Sequence, residues 1–200
     1  MVPASQPLNW NAIGALGQWF AGVATLAVIG YMIWQDSFRR PKLLLGFDNE
    51  RDVKSQSNTV GLPPTVLSRW LRVRVTNGKH RRVAEASRAY LIGIKKIGPN
   101  GQHQDAFPND VRPLGWTHDP PGSAGTRDLL PGVDHWVDVA AASDAAPDLQ
   151  VCVQPGWVLQ DPGDYLITVQ VSAKGAAPEK IDVLVHWGGT WQSLRGERAK

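Results

Sequence analysis

Five histidines and one cysteine are the side chains best suited to chemistry in this 200-residue chain, and their placement limits what they can do. His80, His103, His118, His135 and His186 are scattered, and no two fall at a helix or hairpin spacing that would close on one metal ion. The stretch "THDPP" sets His118 beside Asp119, and "VDHW" sets His135 beside Asp134. Neighbours on an extended chain point to opposite faces, so neither pair is a ready-made acid-base dyad. Cys152 lies in "LQVCV", an apolar strand pattern in which a thiol behaves as a small buried hydrophobe. A nucleophilic thiol needs a base beside it, and the sequence points to none. G-x-S-x-G, Walker, H-E-x-x-H and C-x-x-C patterns are absent. We therefore assign no catalytic residue, metal ligand or cofactor, and expect no enzyme.

Charge carries more information. The chain holds 21 Lys and Arg against 18 Asp and Glu, a net charge of +3, too little for the concentrated basic face that a nucleic-acid binder needs. The first 35 residues contain no Asp, Glu, Lys, Arg or His. From Ala12 to Trp34 the polar groups besides the indoles are Gln18, Thr25 and the Tyr31 hydroxyl. As a helix at about 1.5 Å per residue, this stretch reaches about 35 Å, enough to cross roughly 30 Å of hydrocarbon with some tilt. Trp10 and Trp19 stand near one end and Tyr31 and Trp34 at the other, as aromatic belts do, with Trp19 deeper than ideal. A cleaved signal would begin with positive charge, carry a shorter apolar run and end in small residues; "MVPASQPLNW" is uncharged and "YMIWQDSF" is bulky. The expectation is an uncleaved anchor.

Arg39, Arg40 and Lys42 follow the span, and no Lys or Arg precedes it. Positive flanks stay in the cytoplasm, which puts the N-terminus outside a cell inner or plasma membrane and the remainder inside. A single cysteine, which excludes an internal disulfide, is compatible with that compartment. Within the span Gly14, Gly17, Ala21, Ala24 and Val28 recur at steps of three and four, a stripe on which a second helix or a second copy could pack closely. Lys79, His80, Arg81 and Arg82 form the densest basic cluster. Two roles are open to it: solvated turn residues, or, with Arg39, Arg40 and Lys42, a surface that meets anionic membrane lipid.

These residues need a scaffold, and the chain past Pro41 has a period of two. "WLRVRVTN" (70–77) alternates Leu71, Val73 and Val75 with Trp70, Arg72, Arg74 and Thr76, a half-buried strand, and "NG" at Asn77 and Gly78 suits a turn with positive φ. Further strands are expected at 43–47, 88–97, 135–140, 163–173 and 180–187, with shorter ones near 114–116 and 149–153. Seven or eight short strands punctuated by Pro and Gly predict an all-β antiparallel sandwich behind one helix. Trp70, Trp116, Trp136, Trp157, Trp187 and Trp191 are expected as core plugs and sheet edges. The organisation reads as a tail (1–11), a transmembrane helix (12–35), a basic linker (36–42), a sandwich (43–190) and a C-terminal tail (191–200). Residues 98–132 form a loop-rich insertion with one short strand, the first place to look for a binding surface.

The run "LRVRVTNGKHRRVAEASRAYLIGI" resembles the opening strand pair of bacterial immunoglobulin-like domains of the CARDB/NEW3-like kind. "DPGDYLITV" resembles the immunoglobulin tyrosine corner D-x-G-x-Y through Asp161, Gly163 and Tyr165. The resemblance implies an immunoglobulin-like fold over roughly 43–188, with the Tyr165 hydroxyl bonded to upstream backbone. Ile167 stands where antibody domains carry a cysteine. The functional expectation is a single-pass anchored, non-catalytic interaction or scaffolding module in the cytoplasm. The alternatives are an extracytoplasmic adhesive or carbohydrate-binding sandwich and a membrane-tethered hydrolase.

Overall fold

A computed structural model describes residues 10–56, 66–107, 110–119, 125–146, 148–153 and 155–199. Most of the expected N-terminal tail and parts of the 98–132 insertion lie outside them. The chain divides into two units, Met1–Arg40 and Pro41–Lys200.

The first unit is helix α1, Trp10–Phe38, of which Ile13–Phe38 is long and apolar enough to cross a membrane. It runs past the expected end at residue 35 because no breaker intervenes before Pro41. Its large side chains are open to the surroundings, Trp19 at 73% and Leu26 at 70% exposure. The interior hydroxyl is satisfied locally, Thr25 Oγ1 donating to the Ala21 carbonyl at 2.8 Å. The last turns collect Tyr31, Trp34 and Phe38 in ring contact, with the Arg39 guanidinium 5.5 Å from the Trp34 ring.

The second unit is all-β, two antiparallel sheets over one core. The strands are β1 (Leu43–Gly46), β2 (Val53–Gln56), β3 (Ser68–Asn77), β4 (Ala84–Ile97), β5 (His103–Asp105), β6 (Arg112–Leu114), β7 (Arg127–Leu129), β8 (Asp134–Ser143), β9 (Leu149–Val151), β10 (Trp157–Leu159), β11 (Gly163–Ser172), β12 (Glu179–Trp187) and β13 (Arg195–Arg198). One sheet runs β1-β3-β8-β9-β10, with β2 also on β3; the other runs β13-β12-β11-β4-β5, with β6 and β7 also on β4. Strand β8 takes one edge of β3, so β1 and β2 share the other as one edge strand broken by the single turn α2, Asn49–Asp52. The alternation read from the sequence holds in the core: Leu71, Val73 and Val75 from one sheet meet Ile167, Val169, Val183 and Val185 from the other, all fully buried.

Two expectations are corrected. Residues 98–132 contain three short strands, β5, β6 and β7, laid in turn along β4, and Trp116 and Leu114 bridge to Val137 and Val153 of the opposite sheet. The segment closes one flank of the sandwich because the long β4 leaves main-chain groups that need partners. The expected C-terminal tail holds a 3-10 turn, Trp191–Ser193, and then β13 paired with β12, so the sheet continues to Arg198.

Candidate functional site

Asn77 organises one end of the sandwich. It ends β3, is fully buried, and was expected to take a positive φ in the turn; instead the left-handed residue is His80, at φ 63. The Asn77 side chain accepts from the Lys42 main-chain N–H at 3.2 Å and donates to the carbonyls of Arg82 (2.7 Å) and Leu129 (3.1 Å). Its own carbonyl accepts from Gly132 N–H at 2.7 Å. One residue thus fastens the start of β1, the 78–83 turn, the end of β7 and the 130–133 turn.

The fastening brings the cations together. Gly78 N–H donates to the Lys42 carbonyl at 2.9 Å, and a Cβ on Gly78 would stand 3.6 Å from Lys42 Cβ and 3.3 Å from Arg81 Cγ. Gly132, at φ +72, lies under the Lys79 stem, where a Cβ would be 3.2 Å from Lys79 Cγ. Lys42, Lys79 and Arg82 are exposed and Arg81 is half-buried. Lys42 therefore shares one end of the sandwich with the 79–82 cluster, which only the β1–β3 register reveals. Arg39 and Arg40 belong to the helical unit, where Arg40 pairs with Asp36 at 3.8 Å.

A second cluster lies on the outward side of the β3–β8 sheet. Arg72 Nε donates to Asp138 at 2.8 Å, Thr117 Oγ1 donates to the same oxygen at 2.7 Å, and the guanidinium stands 5.7 Å from the Trp70 ring. Asp119 pairs with Arg127, which lies 5.8 Å from the Trp116 ring. Asp119 is thus turned to an arginine while His118 is exposed at φ 73, and the two make no dyad. Asp134 accepts from Thr76 Oγ1 while His135 packs edge-on against Trp116, so that pair also divides.

Burial, with help from Arg127 and against Asp134, holds the His135 imidazole below the usual histidine value of 6.5. As pH falls below 6.5 the unfolded chain takes up a proton that the folded state resists. Stability is then full above that value and declines on acidification. The guanidinium chloride midpoint is expected to fall between about pH 7.5 and pH 5, and His135→Gln to remove part of the decline; an identical slope in that variant would assign it elsewhere. The Cys152 thiol is pushed up by burial and by Asp138, with Arg72 opposing, which keeps it protonated and inert at neutral pH.

At the other end, the Tyr165 hydroxyl donates to the Asp161 carbonyl at 2.5 Å, while Lys96 Nζ reaches Asp161 at 3.2 Å and stands 5.9 Å from the Tyr165 ring. Burial raises this phenol, Lys96 opposes and Asp161 adds. Beside it is an open groove of about 360 Å³ lined in part by Asp164, His186, Ser193 and Arg195. His186 Nδ1 and Asp164 Oδ1 are 2.8 Å apart as a direct cross-strand pair of β11 and β12. Sequence reasoning missed this pair, although the hairpin signals it: eleven residues counted either way from Gly175 arrive at Asp164 and His186. Ser193 Oγ donates to the Thr190 carbonyl at 2.6 Å and accepts from Gly188 N–H at 2.9 Å, so its proton is held by main chain. Among the described residues no group of three His, Cys, Asp or Glu is arranged to hold a metal ion. Gly14 and Gly17 of the helical stripe face open space.

No protein-family model matches this chain, and no curated protein matches it significantly.

Proposed function

We propose that the chain is a single-pass membrane protein whose immunoglobulin-like sandwich stands in the cytoplasm as a non-catalytic interaction or scaffolding module. The observation that carries this reading is the convergence of Lys42, where the chain enters the sandwich, with Lys79, Arg81 and Arg82. A domain held at an anionic cytoplasmic leaflet presents its cations on the side where its tether arrives, and each is worth about 1 kcal/mol near such a surface. The positive flank of the span favours the same side. Two sheets over one core and the bond from Tyr165 to Asp161 support the immunoglobulin-like assignment.

The hydrolase alternative, expected in the 98–132 insertion with His118 and Asp119, loses that pair to the bond between Asp119 and Arg127; a hydrolytic site at the other end would draw on Asp164, His186 and Ser193. The commitment of the Ser193 proton to the Thr190 carbonyl weighs against it, because a nucleophile must give that proton to its base. A C-terminal reporter that matures only outside the membrane tests the orientation. It is expected to stay silent while a cytoplasmic reporter at the same position is bright; activity of the external reporter overturns the reading in favour of an extracytoplasmic adhesive domain.

A further inference from the structure

The cationic end also carries apolar side chains that the sandwich does not use. Val83, Leu130 and Val133 are 37%, 53% and 43% exposed. They come from different places in the sequence and meet through pairing. Ala84 pairs with Leu129 across β4 and β7, so Val83 and Leu130 are the next residues out at the same end of both strands. Val133 N–H donates to the Leu130 carbonyl at 3.3 Å, closing the 130–133 turn, and Gly132 and Pro131 of that turn are fixed to Asn77. The aliphatic tip is therefore set rigidly beside Lys79, whose stem lies over Gly132.

The acidic groups nearest in sequence to these three residues each have a partner, while Glu85 and Asp128 stay exposed. Asp134 takes Thr76 and Arg51, Asp128 accepts from Ala86 N–H, and Glu85 pairs with Lys174. The tip itself is apolar in the middle with Lys42 and Lys79 beside it, the composition of a surface that enters the headgroup layer of a bilayer. A membrane is also within reach: only three residues separate Phe38, the last of the helix, from Lys42, at most about 14 Å of chain over four residue steps.

We propose that the tip formed by Val83, Leu130 and Val133 inserts into the headgroup region of an anionic leaflet, with Lys42 and Lys79 against the lipid phosphates. The inference rests on the membrane-anchored reading and adds the surface by which the sandwich is held down. The tether supplies proximity and the tip supplies orientation, which leaves the far end, with its groove, turned to the cell interior.

The test uses the full chain in lipid nanodiscs, with Leu130→Cys carrying an environment-sensitive fluorophore in a Cys152→Ser background. Discs of phosphatidylcholine alone are compared with discs containing about one-third phosphatidylserine. In anionic discs the probe should shift to the blue and be quenched at least about threefold more by a lipid-borne nitroxide than in neutral discs. Lys79→Glu should remove most of that difference. The same probe at Gln160→Cys, exposed near the opposite end, should report water in both. A disc-bound chain whose Leu130 probe stays aqueous in anionic discs overturns the insertion, leaves the anchoring intact and marks the tip as a face for a protein partner. A chain that does not co-purify with discs defeats both readings.

Discussion

Asp138→Ala is expected to lower the unfolding free energy of the sandwich by about 3–5 kcal/mol, the largest effect of any single change at its surface. The Arg72 side chain is 10% exposed and that of Asp138 18%. Removing the carboxylate leaves a nearly buried guanidinium without its counter-charge and deprives the Thr117 hydroxyl of its acceptor. At roughly 2–4 °C per kcal/mol for a domain of this size, the melting temperature should fall by about 6–20 °C. Asp138→Asn keeps an acceptor for both donors and should cost less. The double change Arg72→Met with Asp138→Leu should recover most of the loss, because the cost lies in a stranded charge and not in the absence of a bond. A double variant as unstable as Asp138→Ala would show that the pair stabilises the sheet outright.

Asn77→Ala should cost about 3 kcal/mol: a buried main-chain group left without a partner contributes about 1–3 kcal/mol, fully at Leu129 and in part at the half-buried Lys42 and Arg82 groups. Three groups lose their partner: the N–H of Lys42 and the carbonyls of Arg82 and Leu129. The loss should also be local, so that amides of 79–83 and 129–133 exchange faster than the midpoint shift alone accounts for. Asn77→Asp separates donor from acceptor. It retains the oxygen for Lys42 but aims a carboxylate at two carbonyls, so at neutral pH it should be at least as damaging as alanine, and partly relieved in acid, where the protonated group can donate again. Unfolding curves with an unchanged denaturant slope and equal midpoints for wild type and Asn77→Ala would remove Asn77 as the fastening point.

The central strands were legible because each is held on one buried face. β11 and β12 alternate strictly, and β3 does so from Val73 to Asn77 beyond the irregularity at Leu71 and Arg72, so a slip of one residue would turn their valines outward. β2, β5, β7, β10 and β13 were not legible. Each has three or four residues, and β5 is exposed throughout, so it exists because β4 offers an unpaired edge and not because of its own pattern. The same limit applies to function. The Lys79–Arg82 cluster is visible as a run of letters. That Lys42 joins it, and that Val83 meets Leu130, are consequences of strand register. Asn77 read as a turn former because Asn-Gly usually is one; its burial depends on main-chain groups 35 and 52 residues away that converge on it. The helical span was legible because length and apolar composition alone make a helix able to cross a membrane.

A tethered sandwich requires the apolar helix to remain attached and embedded. Membranes from cells producing the full chain, washed at alkaline pH to strip peripheral proteins, should yield a polypeptide of intact 200-residue mass in the pellet. A chain cut ahead of Arg39 and free in the soluble fraction would contradict it.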